Sequence, residues 1–175
     1  MTVTHHEFPA AFETLTFQRE GAVLFADIAA PPMNLLGPEL VRDLVSLLQQ
    51  AEADETVQVL VFRSADPDYF ISHVDLTRVA EYRAEAAKLT GEASLGLMFR
   101  HISTSRLVTI AQIEGRVRAA GSEFVMACDH ALRRARVGDL LAVRAGLRNA
   151  ARRRRRAAPH TPHAPRASVR GAAER

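Results

Sequence analysis

The run Val-Gln-Val-Leu-Val-Phe at 57–62 is the feature that most limits how this chain can fold. It is a continuous aliphatic and β-branched stretch with no polar face, which suits a strand covered on both sides by other layers. "RLVTIAQIEG" (106–115) reads as a second strand of the same kind. Two such strands separated by helical patterns predict a layered α/β arrangement. Upstream, 14–19 (TLTFQR) and 22–28 (AVLFADI) are short β-rich runs parted by Glu20 and Gly21, which suits a tight hairpin. After the loop "AAPPMNLLG", Pro38 can occupy a first helical turn, and Leu40, Val41, Leu44, Val45, Leu47, Leu48 and Ala51 follow at helical spacing until about Asp54. Helical patterns recur over 75–88 and 92–103, and a last helix is expected from about Ser122. The order is therefore ββα, βα(α), βα.

Composition bounds the rest. At 175 residues, 47% hydrophobic and 25% charged, the chain is long enough for one domain with a sizeable core, and it has no apolar run that could span a bilayer. The first twenty residues do not show the charged-then-apolar order of a signal or transit peptide, so a cytoplasmic location is expected. The single cysteine, Cys128, cannot form an internal disulfide and reads as a small buried hydrophobe. The net charge of +3 averages two unlike regions: residues 1–130 hold 10 basic against 18 acidic residues, whereas 131–175 hold 13 Arg against 2 acidic residues. That Arg/Ala-rich stretch has little apolar surface to bury, and it reads as disordered or weakly helical. Its "ARRRRRAAPH" (151–160) could attract phosphates, but no aromatic residue interleaves with it and no nucleic-acid reading motif accompanies it.

Two loops leave the apolar strands and enter helices on one topological side: "YFISHVDL" (69–76) and "GRVRAAGSE" (115–123). Ligand sites in α/β sheets gather beyond the carboxyl ends of strands, where helix N-termini offer unpaired amides to negative charge. Two such amides could cradle an oxyanion, with Glu123 close by as a general acid or base. Spacing alone favours the plainer reading, in which Glu123 does no more than complement its helix dipole. Ser72 and His73 do not suggest a nucleophile pair, since adjacent side chains rarely face each other and no third partner is visible. Arg116 and Arg118 suit either anionic groups of a ligand or solvated loop positions.

From about residue 20 to 130 the chain resembles the enoyl-CoA hydratase/isomerase family, the crotonase superfamily. "PPMNLLGPEL" resembles the family's proline-to-asparagine loop before the first long helix. "VQVLVFRSADPDYFISHVDL" resembles its strand and acyl-CoA loop, which usually ends in Phe-Cys-Ala-Gly-Ala-Asp-Leu. "LVTIAQIEGRVRAAGSEFVMACDHAL" resembles its strand, Gly-rich loop and Glu-Leu-Ala-x-x-Cys-Asp helix. The resemblance implies a crotonase-like core of ββα repeats acting on acyl-CoA thioesters, with no metal and no cofactor beyond the coenzyme A of the substrate. It implies that the amides of Val74 and Ala120 form the oxyanion hole and that Glu123 is the first catalytic glutamate. Ile71, Ser72, Asp75 and Leu76 fall where the family wraps coenzyme A, largely through backbone contacts, and Gly121 where the helix start approaches the thioester.

The departures are specific. His73 and Val74 replace the usual Gly-Ala, and Ala119 and Ala120 replace two loop glycines, so these positions carry side chains where the family uses glycine for its conformational range. Hydratases of the family use a second glutamate within a Phe-Gly-Gln-Pro-Glu-like segment. That position falls near Val143, where only Asp139 is acidic. The family's C-terminal helices, which close the pocket and build a trimer, are missing as well, so a trimer is not expected. The chain thus reads as a partial crotonase-like domain over 1–134 and a low-complexity basic tail over 135–175, whose abrupt composition fits a shifted reading frame. Weak or no activity is expected. The rival readings are a non-catalytic acyl-CoA binder and a short protein with a basic nucleic-acid-binding arm; membrane association is not expected.

Overall fold

The computed structural model describes residues 12–133 and, as backbone, the short strand β1 (Thr4–His5). β2 (Leu15–Glu20) and β3 (Val23–Ile28) form the expected hairpin, with Gly21 at φ +59° in its two-residue turn. α1 (Pro38–Ala53) carries the chain across to β4 (Val59–Ser64), which lies parallel to β3. A short strand β5 (Tyr69–Ile71) and two helices, α2 (Val79–Thr90) and α3 (Leu95–Thr104), precede β6 (Val108–Ile113). The described chain finishes with β7 (Arg116–Val117), α4 (Ala120–Ala127) and β8 (His130–Arg133). The main sheet runs β1-β2-β3-β4-β6-β8, antiparallel up to β3 and parallel from there, while β5 and β7 pair in a separate two-stranded sheet.

The expected α/β class holds, with adjustments of register. The strand read at 57–62 begins at Val59, because Glu55 and Thr56 form a turn out of α1 that the Val57 amide closes onto the Asp54 carbonyl, leaving Val57 and Gln58 as the lead into the strand. In β4, Leu60, Val61 and Phe62 are consecutively buried, as a doubly covered strand requires. β6 instead alternates, with Thr109, Ala111 and Ile113 buried and their neighbours partly open, so its two faces are not equally covered. The helix expected from residue 75 starts at Val79. The Asp75 carboxylate bonds the Thr77 amide and hydroxyl, holding 75–77 in a turn that competes with helix. β5, β7 and β8 were not expected as strands.

Three polar anchors join the layers that carry the loops. Asp43, buried in α1, accepts from the amides of Glu13 and Thr14 and from the Thr14 hydroxyl, fixing the helix to the hairpin. Arg106 donates to the carbonyls of Ala51, Glu52, Asp54 and Val57, placing a cation at the C-terminus of α1, where the helix dipole favours it. Asp129 accepts from the Thr109 amide, and its own amide donates to the Thr109 hydroxyl, which sets β8 beside β6. Cys128 is buried as expected, and burial pushes its thiol up to about 12. Among the described residues no helix is long and apolar enough to cross a membrane, and no cluster of three or more His, Cys, Asp or Glu is placed to hold a metal. The 134/135 boundary, the basic tail, Asp139 and Val143 lie outside the described residues.

Candidate functional site

The site is built where β5 and β7 lie side by side and hand the chain to α2 and α4. The Arg116 amide donates to the Asp68 carbonyl and the Arg118 amide to the Ile71 carbonyl, drawing the two loops together. Gly121 makes the contact close: a Cβ there would collide with the carbonyl oxygen of Ile71 and lie 3.0 Å from its carbonyl carbon. Only glycine lets the start of α4 rest on the backbone at the end of β5. Val74, three residues beyond Ile71, and Ala120, immediately before Gly121, are thus on the two loops that this contact joins.

Each loop leaves backbone amides over, those of Val74 and Ala120 among them. In the first, Leu36 bridges to Val74 in parallel fashion, its amide donating to His73 and its carbonyl accepting from Asp75. In the second, the amides of Gly121, Ser122 and Glu123 turn back onto the carbonyls of Arg118 and Ala119. The amides of Val74 and Ala120 bond no described residue. The Ala120 amide is the first of the four that any helix leaves without an intrahelical partner.

The glycine replacements have different consequences in the two loops. His73 is not among the described non-glycine residues of positive φ, so neither it nor Val74 needs the freedom of a glycine. Its exposed ring lies with Nδ1 3.1 Å from the Val74 carbonyl. Ala119 takes φ +44° and ψ −121°, a conformation that suits glycine and strains a residue with a Cβ. This turn is what starts α4 at Ala120 rather than at Ser122.

Glu123 lies in the first turn of α4 with its side chain exposed and bonded to no described residue. Its position is set by the next residue. Phe124 is fully buried, edge-on to Phe62 at 4.9 Å between centroids, with Phe99 and Phe70 at 6.1 and 6.3 Å. A cleft of about 270 Å³ opens on another face of α4, lined by Ile113, Val117, Ser122, Val125, Met126 and Arg133 among others, and Glu123 is not part of it.

The remaining expected positions divide between inside and outside. Ile71 and Gly121 are buried, Ser72 is buried with an unpaired hydroxyl, and Leu76 is 70% exposed. The Thr77 hydroxyl, and then its amide, hold the Asp75 carboxyl below its ordinary range. Arg116 lies over the Tyr69 ring and donates to its hydroxyl, so it has a structural partner. Arg118 is exposed, and its side chain meets no described partner. Two positioning residues were missed. Asn34, buried, accepts from the Ala30 amide and donates to the Ser64 hydroxyl and the carbonyls of Tyr69 and Phe70, tying the ends of β3, β4 and β5 together. Arg78 bridges Glu39 of α1 and Glu81 of α2. Asn34 stands in the quoted "PPMN" motif, the one signal that could have singled it out.

The family model for enoyl-CoA hydratase/isomerase matches residues 18–136, which include both loops and all of α4. The chain belongs to this family. A Streptomyces avermitilis protein described as a candidate enoyl-CoA hydratase superposes with a TM-score of 0.68 at 50% identity, over 73% of this chain and 46% of its own. Human mitochondrial delta3-delta2-enoyl-CoA isomerase superposes at 0.58 and 22% identity, over 68% of this chain and 46% of its own, which supports the crotonase fold alone. Fatty acid oxidation complex subunit alpha of Idiomarina loihiensis is 29% identical over 109 residues, 61% of this chain and 15% of that protein. The chain therefore spans less than half the length of these relatives.

Proposed function

We propose that this chain binds acyl-CoA thioesters, with the thioester carbonyl oxygen received by the amides of Val74 and Ala120. The observation that carries the reading is the pair of undonated amides on loops held together by the contact of Gly121 with Ile71. Two N–H groups aimed at one oxygen favour the enolate over the neutral thioester, because negative charge grows on that oxygen as the α-carbon loses its proton or as water adds to the β-carbon of an enoyl thioester. Glu123 is the carboxylate that moves the proton. Ile71, Ser72, Asp75, Leu76 and Gly121 line the path of the coenzyme, which enters as part of the substrate and requires no metal.

Hydration needs one group to activate water and another to supply the α-proton. Glu123 supplies one such carboxylate, and the segment near Val143 offers none of the family's pattern. Turnover of crotonyl-CoA is therefore weak or absent, and the chain acts mainly as a binder. The test pairs thermal denaturation with and without butyryl-CoA, which reads binding as a rise in melting temperature, with loss of enoyl absorbance from crotonyl-CoA. Stabilisation with little turnover is expected, and Glu123→Gln should abolish what turnover there is while retaining the stabilisation. Hydration as fast with Glu123→Gln as without it would remove Glu123 from the chemistry. No stabilisation by any thioester would end the proposal.

A further inference from the structure

Ser72 is 7% exposed, and its hydroxyl is buried without a hydrogen-bond partner. Buried hydroxyls in native proteins are nearly always paired, because an unpaired one has given up its water for nothing. The backbone on either side is engaged, the Ile71 carbonyl by the Arg118 amide and the His73 carbonyl by the Leu36 amide. An alanine would fill the same space with no polar atom to satisfy. The free chain thus has no use for this oxygen, which points to a partner that arrives with a ligand.

We infer that Ser72 is a binding residue for the secondary amide of the cysteamine arm of a coenzyme A thioester. The inference rests on the Val74 and Ala120 reading above and adds a side-chain contact to it. Ser72 lies two residues before Val74, about 7 Å along extended backbone. The cysteamine amide is separated from the thioester carbonyl only by sulfur and an ethylene unit, a comparable reach. A thioester whose carbonyl sits at Val74 brings that amide to the neighbourhood of Ser72. The hydroxyl, bound to no described residue, can turn among staggered positions about the Cα–Cβ bond without breaking a hydrogen bond. The contact recognises the coenzyme arm common to all such thioesters and is indifferent to the acyl chain.

The experiment compares the full chain with Ser72→Ala by thermal denaturation and by calorimetric titration with butyryl-CoA. Removing a useless buried hydroxyl should raise the melting temperature of the free chain by about 2–4 °C, while the affinity for butyryl-CoA falls about tenfold. The butyryl thioester of N-acetylcysteamine, which keeps the amide, should lose affinity in the same variant, and S-ethyl thiobutyrate, which lacks it, should not. A variant that melts lower, or that binds butyryl-CoA as tightly as the parent, overturns the Ser72 assignment and leaves the Val74 and Ala120 reading standing. A parent chain that binds no butyryl-CoA overturns both.

Discussion

The two loops of the site solve one problem in opposite ways. The loop after β5 carries His73 and Val74 where relatives usually have Gly-Ala, and it does so in ordinary backbone conformations, held from outside by the bridge to Leu36, by Asn34 and by the Asp75 turn. The loop before α4 has no such polar scaffold. It relies on two glycines whose Cβ would strike the backbone of the other loop, Gly115 against Asp68 and Tyr69 and Gly121 against Ile71, and on one alanine in a glycine's conformation, Ala119. Losing a glycine is therefore harmless where side-chain bonds define the path and strained where the path itself makes the turn. An amide can be held for a ligand by either means.

The contrast makes predictions of decreasing size. Gly121→Ala should be the most damaging, costing about 3 kcal/mol or more, since the new Cβ meets backbone that cannot swing aside; chemical denaturation reads this, and a loss below 1 kcal/mol would mean that the two loops are not clamped as described. Asn34→Ala should cost about 1–3 kcal/mol by stranding the buried Ala30 amide and the Phe70 carbonyl. A matched pair then tests the backbone argument itself. Ala119→Gly should stabilise by about 1 kcal/mol by releasing strain, whereas His73→Gly should destabilise by about 0.5–1 kcal/mol, because it only loosens the unfolded chain. Equal signs for the two would break the comparison.

The smallest effect is that of acid. Thr77 lowers the Asp75 carboxyl from its ordinary value of 3.8 in the folded state, so the turn's contribution is present above that pH and is lost as the pH falls through the lowered value. Protection of the Thr77 amide, taken relative to the intrinsic exchange rate at each pH, should fall on acidification below pH 3.8 in the parent, and be low and insensitive to acidification in Asp75→Ala. Parent and variant exchanging alike would remove the turn from the account.

Much of this was legible in the residues. The hairpin, α1 and the buried character of β4 follow from alternation, helical spacing and an unbroken apolar run, all of which are local signals. β5, β7 and β8 are too short to carry a period, and each exists by pairing with a distant segment, Tyr69 with Arg116 and Ala131 with Ala111. The late start of α2 depends on one Asx turn at Asp75 that competes with the helical pattern. At the candidate site, motif order singled out both loops and Glu123 for attention, whereas the strain at Ala119, the orphan hydroxyl of Ser72 and the span of Asn34 are properties of three-dimensional proximity. No spacing in the chain encodes them.

Backbone amides cannot be removed by mutation, so the central claim is best tested on the ligand. Isotope-edited infrared difference spectroscopy of the full chain with crotonyl-CoA labelled with carbon-13 at the thioester carbonyl reports directly on that bond. Two hydrogen bonds from Val74 and Ala120 predict a bound carbonyl stretch shifted to lower frequency than in water, with the shift lost in Gly121→Ala. A bound thioester whose carbonyl vibrates as it does in water would contradict the account.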